Sequence, residues 1–243
     1  MGAILVVPGC DCRSRHQADV ESSAPEDAAA NGLKYSDEGH VIFDLDELQP
    51  DQRRVADKII RLVAQYYPTW APEEQSIDDF HEHWYETPEI RRFMTTIDQR
   101  VATDRAWPAL FDAVQRTFGD RFMVLQGSPP GFHVPSFSIV IARKEPRNIT
   151  AVFRLSMLAP LYDYYGVLRD DQGRFVSLEL SPQDEETKVI AEQVHGLIAE
   201  HFPTYRELPP EIGSVLVPNM KAENTHVGKT ILAELLFSDA RTW

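Results

Sequence analysis

Apolar residues recur with helical spacing in three stretches of the first half of the chain. Val55, Ile59, Leu62, Val63 and Tyr66 fall at i, i+4, i+7, i+8 and i+11, one stripe along a helix from about Asp51 to Tyr67 that Pro68 ends. Thr87-Pro88-Glu89 reads as an N-cap followed by proline at the first helical position, and Ile90, Phe93, Met94, Ile97 and Val101 then form a second stripe. Trp107, Leu110, Phe111, Val114 and Phe118 form a third, and Gly119 stands where a left-handed residue would close that helix.

Beyond Gly119 the apolar period shortens to two. Arg121 to Leu125, Ser136 to Ala142 and Ile149 to Met157 are expected strands, and in the last Ile149, Ala151, Phe153, Leu155 and Met157 alternate with Thr150, Val152, Arg154 and Ser156. Short connections such as Lys144 to Asn148 suit antiparallel hairpins. Arg174 to Leu180 adds a strand with Val176, Leu178 and Leu180 on one face, and Ser181-Pro182 opens a long helix whose stripe is Ile190, Val194, Leu197, Ile198 and Phe202. Ser214 to Val217 and Ile231 to Phe237 are the last apolar runs, and the second fits strand or helix equally. Helices first, strands next and one helix returning define an α+β chain: a mainly antiparallel sheet with N-terminal helices and one long C-terminal helix packed on it.

Residues 13–34 mix charge with Ala, Ser and Gly and hold only Val20 and Leu33 as larger aliphatics, too little apolar surface to order themselves. The expected organisation is therefore a flexible acidic segment over 1–38 and a single α+β domain over 39–243, its body starting near Val41-Ile42-Phe43. With 243 residues and 43% hydrophobic composition, such a chain can bury roughly 70% of the surface it exposes when unfolded, and needs no disulfide staples.

Charge narrows the class of partner. The formal net charge is −14, which opposes binding a polyanion, so nucleic acid is not an expected partner. No run approaches the roughly 20 apolar residues of a membrane span. The opening Ala3–Val7 run lacks a basic flank and is shorter than a signal-peptide core. Cys10 and Cys12 are too close in sequence to close a useful loop and supply only two of four zinc ligands, so a reducing cytoplasm is the expected compartment.

The charge is also uneven. Residues 1–50 carry ten acidic and three basic side chains, and residues 73–90 carry seven acidic and none basic. Everything else balances, with 21 of each sign. In 73–90, Glu73, Glu74, Asp78, Asp79, Glu82, Glu86 and Glu89 are interleaved with Phe80, Trp84 and Tyr85. Aromatic anchors in a rim of one sign are how steered, tight interfaces are built, so Asp78, Asp79, Glu82 and Glu86 around Trp84 and Tyr85 are the expected contact set for a basic protein.

Catalytic signatures are sparse. Gly228-Lys229-Thr230 resembles the end of a phosphate-binding loop, but the required earlier glycine is Glu223. His81-Glu82-His83 among Asp78, Asp79 and Glu86 offers zinc-type donors, although i and i+2 point to opposite sides of a helix. A metal-dependent hydrolase using His81 and His83 is accordingly the alternative to a binding protein. No G-x-S-x-G elbow occurs, and His133, His195, His201 and His226 have no distinguishing context. Tyr162, Tyr164 and Tyr165 around Asp163 could form an aromatic ligand wall, though packing is the commoner use of such a cluster. No cofactor, metal or catalytic residue is expected.

The last 90 residues, with Ala159-Pro160-Leu161-Tyr162-Asp163-Tyr164-Tyr165, Val217-Pro218-Asn219-Met220 and the closing Leu235-Leu236-Phe237-Ser238-Asp239 ahead of Trp243, resemble bacterial cytosolic proteins of the immunity type found in polymorphic toxin systems. That resemblance implies an acidic α+β protein that neutralises a cognate toxin by binding, without chemistry of its own. The immunity type has no shared catalytic motif, so no residue role transfers from it.

Overall fold

The computed structural model describes residues 34–35, 41–70, 85–127, 134–144, 148–169, 175–179, 184–222 and 229–237. Strands β1 (Lys34–Tyr35) and β2 (Val41–Ile42) pair antiparallel. β1 lies within the segment read as flexible over 1–38; the rest of that segment is outside the described residues. Phe43 follows, bridging in parallel to Val215, and a 3-10 turn at Leu45–Glu47 leads into helix α1 (Pro50–Val63).

The helix stripes are partly redrawn. In α1 the buried side chains are Ala56, Ile59 and Val63, while Val55 is 43% exposed. Helix α2 (Pro88–Thr103) starts as its sequence dictates: the Thr87 Oγ1 accepts from the Ile90 N–H, Pro88 occupies the first position and Glu89 sits in the first turn, where the helix dipole favours a carboxylate. Ile90, Phe93 and Ile97 are buried, but Val101 points outward near the end of the helix. Helix α3 (Ala106–Phe118) is capped by the Asp104 Oδ1, which accepts from the Ala106 and Trp107 N–H groups. Gly119 closes it in the right-handed region, φ −58°, not the left-handed one. Glycine is needed there for space, since a Cβ would meet the Gln115 carbonyl oxygen at 2.5 Å. The Lys144 Nζ donates to the Gly119 and Asp120 carbonyls just beyond, groups the helix itself leaves unpaired.

Five strands then build an antiparallel meander in chain order: β3 (Phe122–Gln126), β4 (Ser136–Arg143), β5 (Asn148–Ser156), β6 (Leu161–Arg169) and β7 (Phe175–Glu179). The Tyr-rich β6 was not anticipated as a strand. Helix α4 (Glu185–His201) follows, capped by Asp184, whose carboxylate accepts from the Thr187 N–H at 2.8 Å, rather than by Ser181. It is long, but it is not C-terminal. The chain passes on through β8 (Arg206–Glu207), a sixth strand parallel to β6, the short α5 (Pro210–Gly213), and a last described helix of six residues, α6 (Leu232–Phe237). The undecided run at 231–237 is thus a helix, with Ile231 bridging to Leu216 before it.

One face of the sheet carries the core. Phe137, Ile139 and Ile141 of β4 and Ala151, Phe153 and Leu155 of β5 join Val63, Phe93, Trp107, Leu110, Ile190, Val194 and the apolar side of α6 in one continuous cluster. Trp107 stacks on Phe137 with centroids 4.6 Å apart, so α3 is locked to β4 by area and ring geometry together. The second face is buried too, but carries a small separate apolar cluster of Val140, Val152 and Tyr165 beside polar groups.

Candidate functional site

Most of the acidic–aromatic contact set, namely Asp78, Asp79, Glu82 and Trp84 together with His81 and His83, lies outside the described residues. Tyr85 and Glu86 are described, and both are exposed at the threshold of α2. The positions on either side are well anchored. Trp70 packs against the buried Ile90 together with Met94, its N–H donates to the Asn219 carbonyl at 2.9 Å, and Arg92 donates to the Gln65 carbonyl. Trp70 and the first turn of α2 are therefore in contact. Five of the seven carboxylates of 73–90 belong to residues 71–84, outside the described residues. Thr87 caps α2 just after Tyr85 and Glu86.

The tyrosine wall is divided by the strand it lies on. Successive β6 side chains alternate, so Tyr162 and Tyr164 face the helices while Asp163 and Tyr165 face the other way. On the helix side, His195 of α4 meets the rings of Tyr164 (4.8 Å), Tyr162 (5.4 Å) and Phe153 (6.0 Å), with Phe153 and Tyr164 stacked beneath it. Its Nε2 is buried without a hydrogen-bond partner among the described residues. Burial holds the imidazole below its ordinary 6.5, and Glu192 pulls it part of the way back. Burial, then the nearby Glu207 carboxylate, pushes the Tyr162 phenol up to about 12, and the same two causes raise Tyr164. Glu207 is itself raised, by burial and by Asp163. At neutral pH this cluster is two phenols and a neutral imidazole, a set suited to packing and hydrogen bonding and lacking an activated nucleophile.

On the other side, β5 and β6 pair Arg154 directly with Asp163. The Arg154 Nε donates to Asp163 Oδ1 at 2.9 Å and its Nη2 donates to Oδ2, a bidentate fork between side chains each 11% exposed. The guanidinium also lies over the rings of Tyr165 and Phe237, 5.1 Å from each centroid. Burial raises the Asp163 carboxyl, and Arg154 opposes that rise. The α6 end that supplies Phe237 is tied down twice: Ser136 Oγ donates to the Phe237 carbonyl and Tyr67 Oη to the Leu235 carbonyl, both at 2.9 Å. The linear sequence hides this pair, because Tyr162, Asp163, Tyr164 and Tyr165 show no plain apolar–polar alternation; with Met157 to Pro160 as the turn, residues 154 and 163 fall opposite one another in a hairpin.

Among the described residues no group of three or more His, Cys, Asp or Glu side chains could hold a metal ion, and no helix is long and apolar enough to cross a membrane. Of the loop-like Gly228-Lys229-Thr230, only Lys229, exposed, and Thr230, buried, are described. The protein is thus of the α+β class, a mainly antiparallel sheet with a helical layer on one face and an internally neutralised ion pair on the other. Comparison of the chain with protein-family models, with curated proteins and with solved structures finds no match.

Proposed function

We propose that this chain is a non-catalytic binding protein of the immunity type, which neutralises a basic protein toxin in the cytoplasm by presenting Asp78, Asp79, Glu82 and Glu86 around Trp84 and Tyr85. The observation that supports the reading is the contact of Trp70 with Ile90, which brings together the positions on either side of the strongly acidic, aromatic sequence, next to the exposed Tyr85. A patch of one sign steers a partner of the other, and an aromatic anchor at its centre governs residence time.

The test is co-expression with the product of each neighbouring gene, followed by binding kinetics on any pair that associates. A basic toxin is expected to be held and silenced, with affinity falling as salt rises. Replacing Asp78, Asp79, Glu82 and Glu86 by Asn or Gln should slow association and flatten that salt dependence, while Trp84→Ala should speed dissociation by the equivalent of about 2 kcal/mol or more. Variants that bind the partner as wild type does would assign the interface elsewhere.

A further inference from the structure

The edge of the sheet at β3 carries no protecting device within the strand itself; the nearest charge, Arg121, precedes it and lies over the Phe122 ring at 5.4 Å. Natural edge strands are blunted by charge, proline or bulges. The other end of the meander has such a device, a register shift between β6 and β7 at Leu168/Arg169. β3 reads Phe-Met-Val-Leu-Gln, without charge or proline, and its register with β4 is unbroken. Leu125 is 43% exposed and Gln126 is exposed.

The ladder sets which backbone groups face out. The Gly127 N–H donates to the Ser138 carbonyl, so residues 127, 125 and 123 carry the inner rungs to β4. The N–H and C=O groups of Phe122, Val124 and Gln126 therefore point away from the sheet, with no strand beyond them among the described residues.

We propose that β3 pairs antiparallel with β3 of a second copy about a two-fold axis at Val124, joining two sheets into one. Self-complementarity selects the second copy as occupant. With Val124 opposite itself, Phe122 falls opposite Gln126 of the other copy, and the outward groups of all three residues are satisfied. On the face opposite the helices, the exposed Leu125 meets Met123 of the other copy in the closer, non-hydrogen-bonded pairing, an apolar match repeated by symmetry. On the helix face Phe122 and Val124 already belong to the core, so the seam continues it. No charge lies on either strand, so nothing in the seam opposes its own copy.

Two copies of net charge −14 nevertheless repel at a distance, so pairing tightens as salt rises, the reverse of the acidic patch with a basic partner. Five residues a side make an interface smaller than the standard one of about 800 Å² per partner, so the equilibrium belongs at high protein concentration.

Sedimentation equilibrium of the full chain up to about 0.5 mM is the direct test of so small an interface. The mass should rise from 27.7 kDa toward twice that value, further in high than in low salt, and Leu125→Lys should weaken dimerisation at least tenfold while leaving the circular dichroism spectrum intact. A second measurement fixes the register: in a Cys10→Ser/Cys12→Ser background, an equimolar mixture of Met123→Cys and Leu125→Cys proteins should form more disulfide-linked dimer than either variant alone. A chain that stays at 27.7 kDa in both salts, a dimer indifferent to Leu125→Lys, or cross-linking no better in the mixture overturns the proposal.

Discussion

Arg154 and Asp163 show how much one pair of side chains can decide inside a sheet. Each neutralises the other, so removing one takes from a buried charge its ion-pair partner. Arg154→Ala or Asp163→Ala should each cost about 3–5 kcal/mol in urea unfolding, whereas the double Arg154→Met/Asp163→Leu change should restore much of that stability, because a buried pair adds little over apolar residues of similar volume. Equal losses in singles and double would contradict that account. His195 makes the second residue-level prediction. Its folded pKa lies below its unfolded value, so its contribution to stability is complete above pH 6.5 and is lost as the pH falls toward the folded value, where the unfolded chain takes up the proton first. Stability measured from pH 7.5 to 5 should therefore fall less steeply in His195→Phe than in wild type, and an NMR titration should place the His195 midpoint below 6.5. Neither site was legible in the linear sequence. Arg154 reads there as the polar phase of a strand, and His195 as one histidine among several.

The start of α2 was the most readable feature, because its chemistry is local. Thr87-Pro88-Glu89 dictated the opening of α2 and nothing distant changed it. Thr87→Ala should cost about 1 kcal/mol; because the same cap directly follows Tyr85 and Glu86 of the proposed contact set, it should also weaken partner binding, detectable as a faster dissociation rate. Asp184→Ala should cost about the same at α4 without affecting partner binding, a contrast that separates general destabilisation from a local role. The misread elements fail for a different reason. Tyr162, Asp163 and Tyr164 alternate chemically only when one knows that both faces of β6 are buried, one by apolar contacts and one by an ion pair. Val55 and Val101 fit a helical stripe, yet face outward because the core turns to Ala56 in α1 and ends at Ile97 in α2.

The two proposed interaction sites differ in charge: the sequence between Trp70 and Tyr85 is strongly acidic, and the sheet edge at β3 is uncharged. Opposite salt responses are the expected signature, with partner binding weakened and self-association strengthened by added salt, and a titration of both in one buffer series would reveal a shared surface if the two moved together. The class of fold, the antiparallel hairpins over 121–157 and the concentration of charge in 73–90 were all set by residue order, since apolar period and charge count are properties of the chain itself. The tertiary structure alone decided that Trp70 meets Ile90, that Arg154 finds Asp163, and that among the described residues β3 has a strand on one side only. Those facts depend on which elements become neighbours, and neighbourhood is set by closing a common core, a sum over many distant contacts that no local stretch encodes.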